Sequence, residues 1–96
     1  MNDSDLNIFL NNYNWEIVDN QIYKKFILKS FSTANKFYNM IAREAEVRNH
    51  HPRVIISYKQ LEVFLTTHDF ERITSKDINL GIKINDIFIE NYYEQD

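Results

Sequence analysis

Apolar positions recur along the chain with two periods, 3.6 and 2, and the switches between them lay out seven elements. Leu6, Phe9 and Leu10 share one helical face behind a cap at Asp3 or Ser4, and Asn11-Asn12 is expected to end that helix. Trp15-Glu16-Ile17-Val18 then leads through Asp19-Asn20 into residues 22–29, where Ile22, Phe26 and Leu28 share one parity and Tyr23, Lys25 and Lys29 the other. That alternation around an Asp-Asn turn predicts a β-hairpin, with Lys24 the one charge on its apolar side.

Capping residues at 30–33 precede a stripe of Ala34, Phe37, Tyr38, Ile41, Ala42 and Ala45, which predicts a long amphipathic helix. Pro52 limits it, because proline lacks an amide hydrogen and restricts the residue before it. His50 and His51 therefore fall just past its last turn. Residues 54–59 and 61–68 read as a second strand pair, with Leu61, Val63 and Leu65 on one face and His68 expected on the other. Thr74-Ser75-Lys76-Asp77 has the form of a capping box. The helix behind it carries two apolar flanks, Ile78, Ile82 and Ile89 on one and Leu80, Ile84 and Ile87 on the other. One flank should meet the sheet. The second is expected to meet another subunit.

The order is α-β-β-α-β-β-α, and hairpin-connected strands imply an antiparallel sheet with its helices on one face. The fold class is α+β, one domain over residues 1–96.

Composition narrows the function classes. With 44% hydrophobic and 15% aromatic residues, a packed core is expected. A net charge of -3 and scattered basic residues argue against a nucleic-acid binder that works through a basic surface. The absence of cysteine rules out disulfides and thiolate zinc sites. No signal-like start and no apolar run near the ~20 residues of a membrane span are present, so the expected location is cytoplasmic, with the nucleus as the alternative.

The candidate chemistry centres on Glu46-Val47-Arg48-Asn49-His50-His51-Pro52, which holds two of the three histidines and the only proline. Imidazoles, with an ordinary pKa of ~6.5, give and take protons around neutrality. Glu46, His50 and His51 could converge with His68 and Asp77 on a polar substrate. The same residues also have plain structural uses: surface or hydrogen-bonded histidines, a solvated Glu46, a capping Asp77, a core Trp15 and a packed strand residue at Tyr58. A zinc or iron site is disfavoured, since adjacent extended residues point apart and no His-x-His or His-x3-His spacing occurs. No strand-turn-helix nucleophile elbow is present either.

Glu46, three residues, His50-His51-Pro52, five residues, Tyr58, nine residues, His68, eight residues, Asp77 resembles the signature of the pterin-4a-carbinolamine dehydratases. Thr66-Thr67-His68-Asp69, Asp77-Ile78-Asn79-Leu80 and the stretch from Trp15 through Phe26, Phe37 and Glu44-Ala45-Glu46 also read like that family. The resemblance implies a four-stranded antiparallel sheet with three helices on one side. It also implies a homo-dimer or tetramer and dehydration of 4a-hydroxytetrahydropterin without metal or organic cofactor. His50 and His68 would be the acid/base pair, His51 would bind and orient the pterin, Glu46 and Asp77 would hold an imidazole or meet polar groups of the pterin ring, and Trp15 would lie beside the substrate. A link to aromatic amino acid hydroxylases follows, whose pterin the reaction recycles. The alternative is a non-catalytic dimerisation or transcriptional-cofactor protein on the same fold. Two departures stand out. Arg53-Val54 replaces the acidic and aromatic pair common after Pro52, and residues 69–73 lack the small residues common in that loop.

Overall fold

In the computed structural model, which describes residues 2–93, helix α1 spans Asp3–Tyr13. Its cap lies one residue earlier than expected: Asn2 Oδ1 accepts the Asp5 amide at 2.8 Å. Asn11-Asn12 does not end it. The stop comes at Asn14, which takes the left-handed conformation that asparagine tolerates and returns its N–H to Leu10 O. Strands β1 (Glu16–Val18) and β2 (Gln21–Ile27) follow as a hairpin. Its two turn residues, Asp19 and Asn20, have φ of 51° and 62°, the double left-handed geometry that matches strand twist.

Helix α2 runs Phe31–Arg48, capped by Ser30 and closed by left-handed Asn49 three residues before Pro52. Strands β3 (Arg53–Ser57) and β4 (Gln60–Leu65) form the second hairpin. Both are shorter than the alternation suggested. Tyr58 sits in the turn at φ 57° and is 86% exposed, rather than packed in a strand. β4 ends at Leu65, so His68 belongs to the next loop and not to a sheet face. That loop is closed by a bridge between Thr67 and Arg72. Glu71 takes φ 50° within it, meeting without glycine the tight turn that small residues commonly supply. Helix α3, Ser75–Asn91, completes the order α-β-β-α-β-β-α.

The sheet is antiparallel throughout, in the order β1-β2-β4-β3. Its register puts Ile22 opposite Leu65, Lys24 opposite Val63 and Phe26 opposite Leu61, one row facing the helices. All three helices touch this row. Lys24 Nζ donates to Tyr13 O at the end of α1, Phe26 packs on Phe37 of α2, and Phe26 also meets Phe88 of α3. Lys24, the charge that broke the apolar pattern, thus sets its ammonium against the negative end of α1 and against Asn85 Oδ1. Its burial pushes its pKa below the ordinary lysine value.

The second flank of α3 finds much of its cover inside the chain, which corrects the expectation of an unpartnered face. Ile78 and Ile82 pack against the core, and only Ile89 stands 58% exposed. On the open face of the sheet, Tyr23 Oη donates to Glu62 at 2.6 Å and Arg53 lies 4.8 Å over the Phe64 ring. Arg53, one of the two departures, therefore has a stacking partner. No helix among the described residues is long and apolar enough to cross a membrane.

Candidate active site

The end of α2 and the start of α3 hold the polar cluster. Asn49 turns the chain out of α2, and the His50 amide still reaches back to Ala45 O at 3.0 Å. The His50 ring then meets α3, where Nε2 lies 2.6 Å from Asp77 Oδ1. Asp77 is fully buried. An ionised carboxylate survives such burial only when its lone pairs find donors. Here Oδ1 has the His50 ring, and Oδ2 accepts the Thr74 amide and the Thr67 hydroxyl, each at 2.8 Å. The capping box expected from Thr74 and Asp77 is present. The same carboxylate caps a helix and orients an imidazole.

His51 takes a different partner. Its Nε2 pairs with Glu46 Oε2, one turn back on α2, and both side chains are mostly exposed. The adjacent histidines thus address two carboxylates, one buried and one in solvent. Beside the His51–Glu46 pair a groove of about 450 Å³ runs between α2 and β3, lined by Tyr38, Ile41, Ala42, Val54 and Ile56. His68 is exposed in the loop after β4, directly after Thr67, whose hydroxyl reaches the shared carboxylate. Among the described residues, no group of three or more histidines and acids comes together as a metal site.

Trp15 is placed apart from this cluster. It is 4% exposed, packs on Phe9 and Phe26, and donates its indole N–H to Asn85 Oδ1 at 3.0 Å. Asn85 lies eight residues beyond Asp77 on α3, about 12 Å along the axis. Two residues escaped the sequence reading. Thr67 continues the inward parity of Leu61, Val63 and Leu65, and a hydroxyl on that row was the available signal. Asn85 is the matching polar interruption beside Ile84 in the apolar stripe of α3.

A small α+β domain whose buried carboxylate holds a histidine at a helix junction belongs to a class of arrangements suited to proton transfer. The comparisons narrow the class. The family model for pterin 4 alpha carbinolamine dehydratase matches residues 1–87, so the chain belongs to that family. A protein of Picosynechococcus sp. with a provisional name as a pterin-4-alpha-carbinolamine dehydratase is 43% identical over 67 residues, 70% of this chain and 73% of that protein. The crystal structure of a transcriptional coactivator/pterin dehydratase from Brucella melitensis is similar at a TM-score of 0.83 and 34% identity, covering 91% of this chain and 96% of that one. A pterin dehydratase-like RuBisCO assembly factor of the alpha-carboxysome shares the fold, with a TM-score of 0.63 at 12% identity over 76% of this chain and 84% of that one.

Proposed function

We propose that the protein dehydrates 4a-hydroxytetrahydrobiopterin to the quinonoid dihydropterin by histidine acid/base catalysis, and so recycles the pterin cofactor of aromatic amino acid hydroxylases. The C4a–O bond breaks, the leaving oxygen takes a proton and departs as water, and a ring N–H gives up its proton as the C=N bond forms. One group must donate and another accept, and imidazoles suit both tasks near neutral pH. The observation that carries this reading is the His50–Asp77 pair, an imidazole held by a fully buried carboxylate in a chain of this family.

In this reading His50 and His68 are the acid/base pair. His51, with Glu46, binds and orients the pterin and Asp77 holds His50, while Trp15, buried against Phe9 and Phe26, takes a core role away from the substrate. The alternative of a non-catalytic interaction protein draws on the names of the Brucella protein and the carboxysome factor. The complete set of Glu46, His50, His51, His68 and Asp77 favours catalysis, because binding alone does not call for it. The expected assembly is a homo-dimer or tetramer. Its support is the α2–β3 groove beside β3, an edge strand of the sheet.

The test is a dehydration assay on freshly generated 4a-hydroxytetrahydropterin with the uncatalysed rate subtracted. The His50→Ala, His68→Ala double variant should lose turnover on the order of 100- to 10,000-fold. A wild-type protein no faster than that variant would sink the catalytic reading.

A further inference from the structure

We propose that Asp77, held by Thr67, locks His50 in the Nε2–H tautomer, so that Nδ1 is the atom that exchanges a proton with substrate. Thr67 is then a positioning residue for the reaction. This rests on the dehydratase reading above for its catalytic meaning, though not for the tautomer itself.

Asp77 Oδ2 accepts the Thr74 N–H and the Thr67 hydroxyl, both at 2.8 Å. A hydroxyl has one proton. Having given it to Asp77, Thr67 must accept at its 2.6 Å contact with Thr74 Oγ1, which therefore donates. Thr74 Oγ1 in turn accepts the Lys76 amide at 3.3 Å. Every proton in the chain from Lys76 through Thr74 and Thr67 points toward the carboxylate. Oδ2 is thus filled by donors, and a proton shared at Oδ1 sits on the more basic partner, the imidazole, so His50 Nε2, 2.6 Å away, carries the hydrogen.

That leaves the lone pair of the neutral ring on Nδ1. Among the described residues no buried side-chain nitrogen lacks a partner, and Nδ1 has no hydrogen bond, so it reaches the surface. Thr67 also ties this lock to the second histidine. It immediately precedes His68, and its amide closes the loop on Arg72 O at 3.0 Å. One carboxylate thereby fixes the ring of His50 and the backbone from which His68 departs.

Replacing Asp77 by asparagine makes the arrangement testable. Two donors converge on the Oδ2 position, so the amide oxygen must take that place and the NH2 must face His50 Nε2. The ring nitrogen then has to accept, and its proton moves to Nδ1, the reverse tautomer. The experiment is nitrogen NMR of the full-length protein labelled at histidine, above the pH at which the imidazoles become neutral. Wild type should show His50 as Nε2–H and Asp77→Asn as Nδ1–H, with circular dichroism unchanged because the amide oxygen still caps α3. In the dehydration assay Asp77→Asn should lower kcat about a hundredfold or more. Thr67→Val should lower kcat about ten- to a hundredfold with KM little changed, and Thr67→Ser should restore it.

A wild-type His50 that is Nδ1–H or exchanges freely between tautomers overturns the proposal, as does an Asp77→Asn variant that keeps the wild-type tautomer. Equal activity of Thr67→Val and Thr67→Ser overturns the role given to Thr67. The NMR readout needs no pterin. A locked tautomer in a protein without dehydratase turnover would therefore count against the function proposed above and not against the lock.

Discussion

At the scale of single residues, Tyr23 and Lys24 are neighbours whose environments act on them through different causes. The hydrogen bond to Glu62, followed by burial and the Glu62 charge, raises the Tyr23 phenol from 10.0 to about 12. A group whose folded pKa is raised contributes stability that is fully present below the unfolded value and is lost as pH climbs through the folded one. The Tyr23–Glu62 bond should therefore hold in full below about pH 10 and fade between about 10 and 12. An ultraviolet absorbance titration should show one late phenolate step near 12 that vanishes in Tyr23→Phe. A titration identical in the two proteins would refute the assignment. Lys24 shows what residue-level patterning misses. Its place on the apolar face was legible, but its reason was not, because Tyr13 O and Asn85 Oδ1 come from helices that no local window contains. The histidines divide in the same way. Their spacing marked a site, yet only the register of α3 against the end of α2 decides that Asp77 takes His50 while Glu46 takes His51.

Between elements, α1 and α3 come into tight contact at the chain's only glycine. A Cβ at Gly81 on α3 would lie 2.8 Å from Phe9 Cζ of α1 and 3.2 Å from Cε1. Alanine is better than glycine by about 1 kcal/mol within a helix. Against that stands an overpacking cost of about 1–3 kcal/mol, and Phe9 is 2% exposed with its ring against Trp15, so it has no free direction in which to swing. The clash should win. Gly81→Ala is expected to destabilise by about 1 kcal/mol in denaturant unfolding, and Phe9→Leu should cost less when combined with Gly81→Ala than it does in wild type. A more stable Gly81→Ala protein would show that α1 is free to shift. Element boundaries were readable where a side chain closes its own backbone, as at Ser30, Thr74 and the Asp19-Asn20 turn. They are not readable where a residue able to stop an element does not do so. Asn11-Asn12 could have stopped α1, but Trp15 is drawn to Phe9, Phe26 and Asn85, and the helix continues until Asn14 can turn the chain that way. β4 was overextended because Thr67 and His68 prolong its alternation, while the bridge from Thr67 to Arg72 has already turned the chain into a loop.

For the whole molecule, architecture was more legible than assembly. Alternating hairpins around two long amphipathic helices leave few ways to cover one sheet face, so the class α+β and the element order follow from periodicity. The partner surface expected on α3 fails for a packing reason: Ile78 and Ile82 of that flank pack against the chain's own core, and Ile89 is what remains exposed. With Ile78 and Ile82 covered, the proposed self-association falls to the groove between α2 and β3. Light scattering should give a dimer or larger species at micromolar concentration, and Tyr38→Lys in the groove wall should reduce its mass. A wild-type monomer under those conditions would remove the assembly proposal.

The capping box at the start of α3 limits how this sequence can change. For a helix start alone, Glu serves as well as Asp at that position. Here a longer acid would push its carboxylate into the space of the His50 ring. Drift or engineering that treats the α3 terminus as a stability problem, graded by helix propensity, would thus alter proton chemistry without touching a histidine. The two properties share one side chain, so a change made for the sake of the cap acts on the proton chemistry as well.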